Sequence, residues 1–236
     1  MKTALVSVML FVGIMVSGCA SAPVESGKNA DFYKRMGVAY LNEGKNQLAF
    51  VEFQTALTHD AKDAETLYYL GLVYLSFEDS ANAISAFQRA VSAQPGYSHA
   101  YNSLGAAYLK AGRYDDAVGV LKSALANLLY RTPELALYNL GTAYYRLGKI
   151  DDALSAFKTA LRRNPDYITP YLGIALAYNR AGQYSDAAKA LEVAMELDPG
   201  VQGDREKLAE ELRKRVITAQ GDEEQDLRDL LEILNY

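Results

Sequence analysis

The chain has 236 residues, half of them apolar and 22% charged, the balance of an ordinary folded domain with enough length to bury a core. Its 29 acidic and 24 basic residues leave a formal net charge of −5, which argues against nucleic acid as a partner, since phosphate binding needs a basic face. One cysteine among six prolines and many Ala, Leu and Tyr excludes an intramolecular disulfide framework or a Cys-based metal cluster and leans towards helices.

The first residues read as an address. Met1-Lys2-Thr3 supplies one positive charge ahead of the apolar stretch 4–16, and Val16-Ser17-Gly18-Cys19 follows. The apolar run, about 13–15 residues, is short of the ~20 a bilayer span needs. The pattern is that of a signal peptide, and its last four residues resemble the lipobox of bacterial lipoproteins. The resemblance implies a signal peptide at 1–18, cleavage before Cys19 and a lipid on its thiol. Each buried acyl methylene would add ~0.8 kcal/mol to membrane anchoring. Ala20 stands where an aspartate would mark inner-membrane retention, so the resemblance implies the periplasmic face of the outer membrane of a Gram-negative cell. Residues 19–29 read as a lipidated linker, polar and containing Pro and Gly, that reaches ~35 Å at most.

From residue 30 the chain repeats itself. Five blocks align at 30–63, 64–97, 98–131, 134–167 and 168–201, offset by 34 residues except for 36 between the third and fourth. The eighth place holds Gly37, Gly71, Gly105, Gly141 and Ala175, and the eleventh Tyr40, Tyr74, Tyr108, Tyr144 and Tyr178. Ala49, Ala83, Ala117, Ala153 and Ala187 fill the twentieth, and Ala56, Ala90, Ala124, Ala160 and Ala194 the twenty-seventh. Phe53, Phe87, Leu121, Phe157 and Leu191 form a bulky column between them. Each block predicts two antiparallel helices, with small residues where helix backbones approach within ~8–10 Å and large ones filling the space around them. Gly44, Gly112, Gly148 and Gly182 mark the turn inside four blocks, where a left-handed residue ends a helix. Glu78 replaces that Gly in the second block and predicts a turn of different shape.

These columns resemble the tetratricopeptide-repeat (TPR) family, over about 170 of the 236 residues. The resemblance implies an all-α, right-handed solenoid of five helix pairs spanning 30–201. Residues 202–236 depart from the repeat. Leu208, Leu212 and Val216 lie at helical spacing, Gln220-Gly221-Asp222 breaks the pattern, and Leu227, Leu230, Leu231 and Leu234 form a second stripe. A solenoid needs its terminal face covered, so 202–236 reads as C-terminal capping helices. The first is expected to cap the fifth repeat and the second either to fold back or to serve a partner.

No residue pattern points to catalysis. His59 and His99 stand apart and form no HxxxH or HExxH pair, so neither metal nor cofactor is expected. Asp115-Asp116 and Asp151-Asp152 fall where a second helix starts and acids favour the helix dipole. No phosphate loop, dinucleotide fingerprint or nucleophile elbow occurs. The reading is a binding protein and not an enzyme.

In TPR proteins the first helices line a concave groove. Carried onto this chain, that places Tyr68, Leu72, Leu75, Asn102, Ala106 and Leu109 in one stretch of groove, and Tyr138, Thr142, Tyr145, Leu172, Leu176 and Asn179 in the next. His99, Lys110, Arg146 and Arg180 edge it. Tyr138 and Tyr145, two helical turns apart, are expected to point from one face into the concavity as partner anchors with polar tips. The Lys/Asn carboxylate clamp of chaperone-binding TPR domains is missing: Lys34 is present, but Val38 and Leu72 stand where asparagines belong. An apolar groove with aromatic walls suits an amphipathic helix or extended apolar segment of a protein partner.

Among lipid-anchored TPR proteins, the chain most resembles the type IV pilus biogenesis lipoproteins, the pilotins that help an outer-membrane secretin assemble. The lipobox, the regular repeats and the extended junction Leu129-Tyr130-Arg131-Thr132-Pro133-Glu134 leading into Asn139-Leu140-Gly141 carry that resemblance. The alternatives are an envelope adaptor for a protease or peptidoglycan enzyme and a β-barrel assembly lipoprotein.

Overall fold

The computed structural model describes residues 23–236; the expected signal peptide 1–18, the expected lipid site Cys19 and the linker positions up to 22 lie outside the described residues. The described residues form twelve α-helices and no strand. Ten of them make five antiparallel pairs: α1 (Pro23–Asn42) with α2 (Asn46–His59), α3 (Ala64–Ser76) with α4 (Ser80–Ala93), α5 (Ser98–Lys110) with α6 (Tyr114–Ala126), α7 (Pro133–Arg146) with α8 (Ile150–Arg163), and α9 (Ile168–Arg180) with α10 (Tyr184–Leu197). Each second helix packs on the next first helix, so the pairs stack into a solenoid. Residues 23–29, read above as linker, are helical and extend α1. Pro is accepted in a first helical turn, and lengthening an existing helix costs far less than nucleating one.

The five intra-pair turns are closed alike. Gly44, Gly112, Gly148 and Gly182 adopt φ of +70° to +73°, and the amide beyond each bonds back to the carbonyl of Tyr40, Tyr108, Tyr144 or Tyr178, which is Schellman closure. Glu78 does not reshape its turn. It takes φ 60°, and Asp79 N–H reaches the Tyr74 carbonyl at 2.9 Å as in the other repeats. Tertiary stacking therefore imposes a left-handed conformation that a side chain adopts only at a cost.

The column residues explain the stacking. The five alanines of the twentieth place are wholly buried at 0% exposure, and the Phe/Leu column lies beneath them. The eighth-place glycines make room for that column: a Cβ added at Gly37, Gly71, Gly105 or Gly141 would sit 2.5 Å from Phe53, Phe87, Leu121 or Phe157. The tyrosine column does more than fill space. Gln88 Nε2 donates to Tyr108 Oη at 2.7 Å, Lys158 Nζ to Tyr178 Oη at 2.7 Å and Gln54 Nε2 to Tyr74 Oη at 3.5 Å. At the remaining junction Lys122 sits over the Tyr144 ring. The column thus ties each first helix to the second helix of the preceding pair. The two extra residues of the third junction turn Leu128 and Leu129 into solvent, 96% and 87% exposed, while Tyr130 is buried edge-on to His99.

Beyond the pairs come α11 (Arg205–Val216) and α12 (Asp222–Ile233). Ala209 and Leu212 of α11 join the core that holds Leu191 and Met195. The closer backbone packing against α9 and α10 belongs to α12, which returns over the solenoid through the bend 217–221. Of the two fates the sequence allowed this helix, it folds back.

Candidate functional site

The first helices present one groove in two conditions. In the α3–α5 half, Tyr68, Leu72, Leu75, Asn102, Ala106 and Leu109 are all half-buried. The Tyr68 ring lies 5.2 Å from Tyr97 and 5.9 Å from Phe87, and the leucines lean on the same core. Each keeps surface while it packs. Asn102 Oδ1 accepts from Asn139 Nδ2 at 2.9 Å, tying α5 to α7. At the groove's start Lys34 is engaged by Glu65 at 2.9 Å and Asp63 at 3.2 Å; burial opposes its charge, but these acids hold its pKa above the usual lysine value.

The α7–α9 half is covered. Leu227 and Leu230 of α12, 2% and 4% exposed, share one apolar cluster with Tyr138, Tyr145, Leu172 and Leu176, and with Thr142 these residues line a cavity of about 330 Å³. Tyr145, expected as an open anchor, is 5% exposed. Tyr138 packs its ring on Phe157 and Tyr167, 5.9 and 5.7 Å away. Burial raises the pKa of both phenols. The expectation of an open concavity is therefore corrected for Tyr145, which an apolar stripe from the same chain covers, while Tyr138 stays half-buried like the residues of the α3–α5 half. Asn179 is also engaged, its Oδ1 accepting from Tyr236 Oη at 2.9 Å.

Charge fixes the position of α12. Arg146 Nη1 donates to Asp226 Oδ1 at 2.8 Å while its Nη2 donates to Oδ2, a bidentate pair. Arg146 Nε also faces Asp222 at 3.3 Å, and Tyr114 Oη donates to Asp222. The guanidinium groups of Arg146 and Arg180 lie 5.3 and 5.2 Å from the Tyr145 ring centre, within cation–π range. Burial opposes both charges of the pair. On Asp226 it outweighs Arg146 and raises the carboxyl pKa, whereas on Arg146 the hydrogen bond and charges from Asp226 and Asp222 prevail and raise it. A cleft of about 360 Å³ remains beside α12, bordered by Tyr145, Arg146, Arg180, Asp226 and Asp229.

Sequence reasoning placed Arg146 and Arg180 at the groove edge but missed the acids that pair with Arg146. The signal was present: Asp222 and Asp226 are spaced i,i+4 directly ahead of the Leu227/Leu230 stripe. Asn139, one place past a groove position, carried no such mark. Elsewhere His59 stacks on Tyr33 at 5.5 Å, and the paired aspartates sit in the first turns of α6 and α8. Among the described residues no group of three or more His, Cys, Asp or Glu gathers where it could hold a metal ion, and no helix is long and apolar enough to cross a membrane.

The tetratricopeptide repeat model matches residues 34–98, 70–128 and 138–201, well over half the chain. The chain belongs to the tetratricopeptide repeat family. No curated protein matches it. Among solved structures, this TPR chain is similar to MamA, at 28% identity and TM-score 0.62 over 68% of this chain and 93% of that one. PilF of Pseudomonas aeruginosa matches at 20% identity and TM-score 0.68, over 89% and 90%. PilW, a widely conserved type IV pilus biogenesis factor, matches at 19% identity and TM-score 0.70, over 86% and 92%. The last two share the fold. As a TPR scaffold the chain is a protein-binding module.

Proposed function

We propose that this TPR protein is a lipid-anchored envelope scaffold that captures a protein partner along its concave face and serves type IV pilus assembly as a secretin pilotin. The observation that carries the reading is the length of the structural match: PilF and PilW each align over nearly their whole chains and over at least 86% of this one. The lipobox residues ending at Cys19 support the anchor, and the half-exposed apolar residues of α3 and α5 supply a surface for a partner. No step of this role asks for catalysis.

The test combines anchor and groove. Cys19→Ser is expected to release the protein from membranes and end acyl labelling. Leu75→Ala with Leu109→Ala, on half-buried positions of the α3–α5 half, is expected to keep the helical signal while weakening secretin capture in a pull-down and reducing heat-resistant secretin multimers on gels. Normal multimers in a strain lacking the whole protein would end the pilotin reading.

A further inference from the structure

We infer that α12 is a built-in ligand, and that the α7–α9 half of the groove is a site for an acidic amphipathic helix of a protein partner that takes α12's place. The inference rests on the partner-binding reading of the groove and adds the chemistry of what is bound.

Three observations carry it. The first is register. Across a cavity of about 330 Å³, α12 faces Tyr138, Thr142 and Tyr145 of α7 and Leu172 and Leu176 of α9, the repeat places that in α3 and α5 are Tyr68, Leu72, Leu75, Asn102, Ala106 and Leu109. A terminal cap has only to cover the end of a stack. This helix instead runs into the groove, as far as Arg146 and the Tyr114 hydroxyl.

The second is chemistry. α12 carries Asp222, Glu223, Glu224, Asp226 and Asp229 against an apolar edge of Leu227 and Leu230. The groove answers with Arg146 paired to Asp226 and Asp222, and with both Arg146 and Arg180 against the Tyr145 ring. The bidentate Arg146–Asp226 geometry selects a carboxylate, and the leucine pocket selects an apolar residue one place on and another three beyond. The site therefore reads Asp-x-x-x-Asp-Leu-x-x-Leu on a helix, a helix-in-groove mode.

The third is tethering. α12 has only twelve residues, a length at which a helix is marginal by itself. It hangs on the bend 217–221, where Ile217 is 82% exposed and Gly221 takes φ 59°. Its buried leucines and the Arg146 pair seat it, and being on the same chain strengthens that hold by making docking intramolecular. A partner helix of equal chemistry must compete with that local concentration, so the wild-type site is masked and needs a strong or multivalent partner to open it.

The probe is a labelled peptide with the sequence of residues 220–236, added to the full chain and followed by fluorescence anisotropy. Leu227→Ala with Leu230→Ala in the protein should loosen α12 and raise peptide affinity about ten-fold or more, because apparent affinity scales with the fraction of groove that is free. Adding Arg146→Glu should abolish the gain. A loosened variant with intact helical circular dichroism that binds the peptide no better than wild type would overturn the inference, as would binding indifferent to Arg146→Glu or equal binding of a scrambled peptide. Should that variant unfold, wild-type hydrogen exchange decides. Excess peptide must speed exchange of amides 222–233 relative to α7, and unchanged exchange overturns the inference. Loss of partner capture on changing Leu75 and Leu109, alongside no peptide binding here, would sink this inference alone and leave the scaffold role standing.

Discussion

The two halves of the concave face share one repeat register and differ in what they meet. In α3 and α5 the groove places hold mainly aliphatic side chains that pack on their own core and keep part of their surface. In α7 and α9 the same places hold Tyr138, Tyr145, Leu172 and Leu176, edged by two arginines, and α12 lies across them. Repeat register decides which residues face the groove. Whether they are open depends on a segment outside the repeat whose charges and leucines complement one half and not the other.

The largest difference between the halves is expected in the packing beneath them. A Cβ at Gly71 would meet Phe87 at 2.5 Å, whereas Cβ atoms added at Gly141 and Gly173 would both meet Phe157, at 2.5 and 2.6 Å. Phe157 is thus packed against two glycine backbones, and a side chain added at Gly141 drives it towards the second. Gly71→Leu should cost roughly 1–3 kcal/mol and Gly141→Leu more than that, read as a lower urea midpoint of the helical signal. Equal midpoints would mean that both halves relax alike.

Next in size is the charge that seats α12. Arg146→Ala strands Asp226, whose side chain is 21% exposed, and leaving a largely buried acceptor unpaired costs about 1–3 kcal/mol. The counterpart at the groove's start is Lys34, whose partners are Glu65, 49% exposed, and Asp63, which also accepts from Glu65 N–H and Thr66 Oγ1. Neither acid is stranded when the lysine is lost, so the cost should be smaller. Hydrogen exchange should show residues 222–233 losing protection in Arg146→Ala while α1 and α3 of Lys34→Ala stay protected. A Lys34→Ala variant as damaged as Arg146→Ala would put the dominant electrostatics in the wrong half.

Much of this fold was legible in the residues because the same packing problem is solved five times. Registered Gly, Tyr and Ala columns are a signal that repetition amplifies, and the helix pairs follow from them. Glu78 was misread because local propensity disfavours a left-handed glutamate, while the stacked neighbours on both sides fix the turn regardless. The fate of α12 was not legible for a different reason. A leucine stripe at helical spacing says that a face will be buried and is silent about which surface buries it. The Arg146–Asp226 pair spans 80 residues, and no local pattern connects its ends. Tyr145 was misjudged as open for the same cause.

A smaller effect is expected where the halves join. Asn102→Ala removes one partly buried hydrogen bond to Asn139 and should cost about 0.5–1.5 kcal/mol. A double-mutant cycle with Asn139→Ala isolates the pair, because a coupling near zero would show that the two helices are held together by apolar packing alone.

The smallest signal involves two of the 18 tyrosines and sharpens the comparison most. Burial comes first among the causes that raise the phenol pKa of Tyr138 and Tyr145 in one half and of Tyr97 in the other. A phenol raised in the folded state contributes stability that is complete below its unfolded pKa, about 10, and that is lost as pH climbs from there through the folded value. Below pH about 10 the wild type and Arg146→Ala should therefore show the same ultraviolet tyrosine absorbance. Above it they should part. Releasing α12 frees Tyr138 and Tyr145, and with them Tyr114 and Tyr236, which bond Asp222 and Asn179 in the wild type. In Arg146→Ala these phenols should ionise in the ordinary range while Tyr97, half-buried among Tyr68 and the repeat core, still holds its proton. The absorbance at 295 nm should therefore rise earlier, with helical circular dichroism unchanged at the same pH. Tyr138→Phe with Tyr145→Phe in the Arg146→Ala background should lower that early rise by about two phenolates' worth, leaving the share of Tyr114 and Tyr236. If the early rise is undiminished in the double phenylalanine variant, α12 does not shield these two rings, and the contrast between a covered and an open groove fails.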